Sequence, residues 1–325
     1  MPLTRAKVDA VFQALLGRRP ESEATYRWGM AYPRLSAFVL DVARSEEFRQ
    51  RSLHHTSRPA AMLPHGQERI VFLHVPKCGG TTLHDLLAGW FGAGTMHPER
   101  HNALWRHPAG HLAEKRVFSG HYDYYSTQLI PGRRRLITVL RDPRERLVSL
   151  YNFLHAHLDA VIDGQGLALA RRAADLDIAA FFADPWVRSH PCIDNAMSRT
   201  LSDVPQGWVR WEGPTPQGPS EDLDRMAGQA LANLMAFDFV GFLSDMDGSV
   251  ARLADLLGRP VPPRVARAQA LNDIAATNPN LRAMPRQTLS ADTAALLDDL
   301  VRRDDILYHA ARAKFEPPAR KEPVP

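Results

Sequence analysis

Lys77, Cys78, Gly79, Gly80, Thr81 and Thr82 form one unbroken run in a chain of 325 residues. Glycines let backbone N–H groups turn toward a single oxyanion, threonine hydroxyls add donors, and a lysine adds full positive charge. That set of residue types suits a phosphorylated ligand. A triphosphate-binding loop, GxxxxGK[ST], carries its lysine after the glycines. Here Lys77 precedes Gly79 and Gly80, so its charge approaches from the opposite side. The turn also lacks GxGxxG, which argues against a dinucleotide cradle.

The flanking elements must hold this run in place. Ile70 to Val75 is an apolar stretch that reads as a buried strand, and Leu83, Leu86, Leu87 and Trp90 recur at the spacing of one helix face. Strand, turn and helix N-terminus together make the cradle. A second strand-like piece, Val117-Phe118, runs into Ser119, Gly120, His121 and Tyr122; a third, LITVL, covers Leu136 to Leu140. Asp142 as N-cap, Pro143 at the first helical position and Glu145 in a capping box then open a helix whose core face is Leu147, Leu150, Tyr151 and Leu154. Residues 160–190 read as helical connections, and 204–220 as an irregular loop rich in Pro, Gly and Trp. FDFVGFL (Phe237 to Leu243) is a further strand, followed by a helix around Val250 to Leu257 that stops at Gly258. Ser290 caps a last helix reaching about Lys314. Strands alternating with helices predict an α/β domain with a mainly parallel sheet.

Ahead of it, residues 1–55 read as a small all-α unit with stripes at Val8, Val11, Phe12, Leu15 and Leu16 and at Leu35, Phe38, Val39 and Val42. Residues 56–68 read as a linker, 69–315 as the main domain and 316–325 as a disordered tail. A net charge of +4 suits anionic ligands, yet no Lys/Arg block is longer than Arg133-Arg134-Arg135, so nucleic acid is not expected. Two cysteines, Cys78 and Cys192, make no disulfide framework and point to a reducing, cytoplasmic setting. No stretch is long enough to span a membrane. His97, His101, His107 and His111 lack the paired spacing of a zinc site, so the expectation is a surface loop in which Trp105 offers a flat apolar face.

PKCGGTTL (Pro76 to Leu83) resembles the 5′-phosphosulfate loop of sulfotransferases that use 3′-phosphoadenosine 5′-phosphosulfate (PAPS), and the closer match is their carbohydrate branch, which includes the heparan and dermatan/chondroitin sulfotransferases. LRDPRERLVSLYNF (Leu140 to Phe153) is similar to that family's 3′-phosphate segment, which implies that Arg141 and Ser149 hold the 3′-phosphate. A strand-end arginine and a hydroxyl on the next helix can indeed converge on one dianion. FSGHYDY (Phe118 to Tyr124) resembles the segment carrying the family's base, which implies His121 for that part. DNAMSRTLS (Asp194 to Ser202) resembles the segment after the substrate loop, so Asn195 and Arg199 either bind substrate or stitch the domain together. The resemblance spans roughly residues 69–315 and implies a P-loop-like, three-layer α/β fold. Separately, LLGRRPESEATYRW and SEEFRQR resemble, through Leu16, Gly17, Arg18, Pro20, Trp28, Ser45, Glu46 and Phe48, the phycobilisome-linker-like helical domain that bacteria append to many proteins, although the usual glycine after the proline is missing. That likeness implies a docking or spacer module open to a protein partner; a helical hairpin packed on the main domain is the other reading.

What the main resemblance implies is transfer of a sulfuryl group from PAPS to a hydroxyl of a saccharide or glycoconjugate, without a metal. Lys77 would stabilise charge on the leaving phosphate, Gly79 to Thr82 would hold the 5′-phosphate, and His121 would take the hydroxyl proton. Trp105, Trp186, Trp208 and Trp211 offer stacking faces for the acceptor, and Arg171, Arg172, Arg188 and Arg210 offer partners for uronates or sulfates. Two rival classes stay open: a non-catalytic nucleotide- or glycan-binding module, and a kinase, against which the lysine order argues.

Overall fold

The structure is a computed structural model, and it describes residues 3–16, 18–33, 38, 41–42, 45–47, 68–204, 220–263, 275, 278–284, 287 and 289–316. Most of the expected linker, the tail beyond 316 and the loop 205–219, with Trp208, Arg210 and Trp211, lie outside the described residues.

Four strands, β1 (Arg69–Leu73), β2 (Val117–Gly120), β3 (Arg134–Leu140) and β4 (Phe239–Phe242), form a parallel sheet in the order β2-β1-β3-β4. Register pairs Ile70 with Val117 on one side of β1 and with Arg135 on the other. Every residue of β1 is buried, as a strand covered on both faces must be. Alternation sends Ile70 and Phe72 to one face, where they meet Leu83 and Leu87 of α3 (Gly80–Phe91) and Val250 and Leu253 of α7 (Met246–Leu257). Leu73 faces the other way, onto a cluster with Met197 and Leu201 of α5 (Ala196–Leu201), Leu234 of α6 (Ser220–Met235) and Leu307 and Tyr308 of α9 (Arg302–Phe315). Helices, sheet and helices thus make three layers, and the α/β expectation holds. A further core gathers Leu147, Leu150 and Leu154 of α4 (Pro143–His155) with Phe181, Phe182 and, from α8 (Ala291–Leu300), Leu297. The amino-terminal α1 (Arg5–Leu16) and α2 (Glu23–Met30) share their own cluster of Val8, Val11, Phe12, Leu16, Tyr26, Phe38 and Val42, against which the half-buried Tyr125 packs.

Two local expectations need correction. The Asp142 carboxylate does cap α4, accepting from Arg144 N at 3.0 Å and Glu145 N at 3.1 Å. Glu145 does not reach back to close a capping box; its carboxylate takes Arg141 Nε at 3.2 Å. The final helix is also two helices, α8 and α9, parted at Val301. The break has a distant cause. Asn195 N donates to Leu300 O at 2.9 Å, and Asn195 Oδ1 accepts from Arg303 N at 2.8 Å and Asp304 N at 3.3 Å. A side chain about a hundred residues upstream therefore acts as the N-cap of α9. Ser290 caps α8 as expected, through Thr293 N, and Gly258 closes α7 at φ 61°.

Candidate active site

The carboxyl ends of β2, β1 and β3 lie side by side, so the segments that follow them meet at one edge of the sheet. This is where open α/β sheets bind ligands. After β1 the chain runs through buried His74 and Val75 to Lys77, which has a left-handed φ of 69°, and Gly79, at 79°. A non-glycine residue in that region carries strain and is held by its surroundings. Helix α3 begins at Gly80 with no side-chain cap, which leaves its first N–H groups for an external acceptor. A Cβ on Gly80 would lie 1.9 Å from His74 Nε2, and one on Gly79 would lie 2.8 Å from Leu243 Cδ1. At Gly80 the ring leaves room only for hydrogen; at Gly79 the near atoms are movable side-chain tips, and it is the left-handed φ that favours glycine.

Lys77 Nζ sits 4.1 Å from the centroid of the half-buried Phe153 ring on α4. Burial, with the nearby Arg141 charge, pulls its ammonium down to about 8. Arg141 at the end of β3 is tied to Glu145, whose side chain is 65% exposed, and Ser149 is half-buried on the same helix. The structure brings Lys77, Cys78 and Arg141 within electrostatic reach of one another. Cys78 is fully buried and its thiol is pushed up to about 11 by desolvation, which makes it a packing residue and no nucleophile. Thr82 is buried in the first turn of α3, and Thr81 is exposed.

His121, one residue past β2, stacks on His74 with centroids 4.1 Å apart and 27° between planes. Its Nδ1 lies 3.0 Å from the His74 carbonyl oxygen. A carbonyl only accepts, so Nδ1 carries the proton and Nε2 keeps its lone pair. Burial lowers the His121 ring to about 4 and keeps it neutral at physiological pH. His74, enclosed between His121 and Phe72, is lowered as well by desolvation. His84 of α3 meets the β2 end through Nδ1 and Ser119 Oγ at 2.8 Å.

The loop after α3 folds over the end of β2. His121 N donates to Arg100 O at 2.8 Å, Asn102 Nδ2 donates to Asp123 Oδ2 at 2.7 Å, and the Tyr122 hydroxyl donates to Glu99 O. His97 is buried between Phe118 and His107. Among the described residues no three His, Cys, Asp or Glu side chains converge as a metal site. Trp105 lies half-buried in a short 3₁₀ turn of this loop, with Arg106 5.3 Å from its ring centroid.

The following acceptor candidates, all among the described residues, are engaged with the protein itself. Asn195 is 1% exposed and caps α9; Arg199 is 8% exposed and holds the Asp194 carbonyl and carboxylate. Arg171 pairs with Asp159 and Asp163, Arg172 with Asp184 and Arg188 with Asp299. Sequence reasoning missed His74, Phe153 and Arg146. Arg146 is fully buried behind the cradle, where Nη2 donates to Cys192 O at 3.0 Å. His74 reads from sequence as one more member of a strand; its only signal is a polar residue in an otherwise apolar run.

With this geometry in view, comparison with known families is informative: the model of the sulfotransferase family matches residues 62–309. The chain belongs to the sulfotransferase family. Among solved structures it is similar to mouse sulfotransferase SULT7A1, which was crystallised with PAP. The two are 13% identical, the match covers 82% of this chain and 90% of that one, and the TM-score is 0.38. No curated protein matches. Within this sulfotransferase no helix among the described residues is long and apolar enough to cross a membrane.

Proposed function

We propose that this sulfotransferase moves the sulfuryl group of PAPS onto a hydroxyl of a saccharide or glycoconjugate. The observation that carries the reading is the His121 ring, held by the His74 carbonyl in the tautomer that leaves Nε2 its lone pair and lying within reach of the Lys77 charge. Nε2 accepts the proton of the attacking hydroxyl as the new S–O bond forms and the bond from sulfur to the bridging phosphate oxygen breaks. Negative charge grows on that oxygen. Lys77 and the uncapped N–H groups of α3 are there to receive it, and Gly79 to Thr82 hold the 5′-phosphate. Arg141 and Ser149 take the 3′-phosphate, which relieves the mutual repulsion of Arg141 and Lys77. No step calls on a metal.

Trp105 is the candidate for stacking on an acceptor sugar. For Asn195 and Arg199 the stitching role is the better supported, since their polar atoms are bonded within the domain. The two buried free cysteines fit a cytoplasmic setting, and the amino-terminal helices fit a docking or spacer unit ahead of a catalytic domain spanning about 69–315.

The test is thermal-shift binding of PAP against ATP with Mg²⁺, then labelled-sulfate transfer from PAPS to a panel of glycans. Stabilisation by PAP with sulfate on a glycan supports the proposal. PAP binding without transfer to any acceptor would leave a binding module, and stabilisation by ATP-Mg²⁺ alone would overturn the reading.

A further inference from the structure

At the opposite end of the sheet, where β1 and β3 begin, lies a cleft of about 160 Å³ lined by Glu68, Ile70, Phe91, Arg116, Arg135 and Leu257. That is room for roughly five waters, enough for one tetrahedral oxyanion and part of its hydration. Its polar chemistry is unbalanced. Glu68 binds Arg133 and Arg135 at 2.6 Å each, and Arg135 Nη1 also donates to Leu256 O at 2.9 Å. Arg116 and Arg259 form no ion pair and no side-chain hydrogen bond among the described residues; each rests only on the Phe91 ring, at 5.0 and 4.2 Å from its centroid. The Nε atoms of Arg116, Arg135 and Arg259 are all buried without a partner.

Buried guanidinium donors are normally satisfied, and the one carboxylate of the cleft, Glu68, is already shared by Arg133 and Arg135, which leaves the positive charge in excess. Arginine's planar fork matches the oxygens of sulfate, phosphate and carboxylate. We propose that this cleft is an anion site, independent of the phosphate cradle, in which Arg116 and Arg135 of the lining hold one oxyanion group, with the charge of Arg259, on the Phe91 ring that lines the cleft, adding to the attraction. The group is either a free ion or the charged substituent of a larger chain, such as a sulfate ester on a saccharide.

The experiment follows melting of the full-length protein in sodium sulfate against sodium chloride at equal ionic strength. The parent protein and Lys77→Ala should both gain about 2–3 °C at tenfold excess over Kd, since the cleft lies outside the cradle. In the Lys77→Ala background, where the cradle's own hold on sulfate is weakened, the double variant Arg116→Gln/Arg259→Gln should lose that gain. An unchanged gain in the double variant overturns the proposal, as does its loss in Lys77→Ala alone. Should the double variant fail to fold, Arg259→Gln alone must weaken sulfate binding by at least threefold; equal affinity overturns the site. Matched sulfated and unsulfated oligosaccharides then separate the sources. Binding of the sulfated chain more than tenfold tighter than inorganic sulfate, lost in Arg259→Gln, identifies a substituent; affinity equal to inorganic sulfate identifies a free ion.

Discussion

The imidazole of His121 stacks on that of His74 at 4.1 Å, and the backbone carbonyl of His74 holds its Nδ1. One residue thus supplies both the flat surface and the acceptor that orient the proposed base. His121→Ala should lower kcat by roughly 10²-fold or more. His74→Phe keeps a flat ring and the carbonyl and should stay within about 3-fold of the parent, whereas His74→Ala should lose about 10- to 100-fold through misorientation. Steady-state kinetics with PAPS saturating checks the series. Near-normal turnover in His121→Ala removes the base from the mechanism.

Lys77 titrates at about 8 without ligand. A bound phosphate dianion favours the ammonium and raises that value, so PAP binding near pH 8 should take up about half a proton per site. Calorimetry in buffers of different ionisation enthalpy measures this number, and zero uptake contradicts it. Affinity should fall as pH climbs past 8, and Lys77→Ala should lower turnover by roughly 10²-fold or more.

The pH profile of kcat/KM should have its acid limb near 4, where neutral His121 gains a proton, and its alkaline limb near 8, where Lys77 loses one. An acid limb near 6.5 would mean that His121 is solvated in the free enzyme.

Stability in acid follows from several buried histidines. His97, His121 and His190 are each lowered to about 4 by burial. Between pH 4 and about 6.5 the unfolded chain binds more protons than the folded one, so stability rises with pH across that window and is lost as pH falls through it. Urea denaturation at several pH values should show this slope; a flat response would mean these rings are not buried in solution.

Gly80→Ala cannot be accommodated while His74 keeps its place, because the new Cβ would meet the ring at 1.9 Å. The variant should lose PAP binding by at least tenfold. Asn195→Ala removes the cap of α9 and places alanine at φ 46°, at a cost of about 1–3 kcal/mol in denaturant unfolding, with KM for PAPS nearly unchanged. A raised KM with intact stability would return Asn195 to substrate binding.

The cradle is legible in the sequence because everything that defines it is local: an apolar strand, two glycines and a helix face within about one turn of each other. The same holds for the Asp142 cap and the Gly258 stop. What sequence spacing does not reveal is contact across the sheet. His74 and His121 are 47 residues apart, and Asn195 reaches Arg303 across 108. Capping rules likewise gave Glu145 to its own helix start, whereas a neighbouring strand-end arginine outcompeted the backbone for it. Such outcomes depend on which strands become neighbours.

The absence of any Cβ on Gly80 has a consequence for engineering. It lets the Gly79–Thr82 backbone press against the His74 ring, which in turn stacks on His121, so under the proposed function the donor side and the acceptor side would share one wall. If the proposed roles hold, changes made to admit a new acceptor should be felt in donor affinity, so positions 74 and 121 are best varied together, with Gly80 kept unless His74 is made smaller.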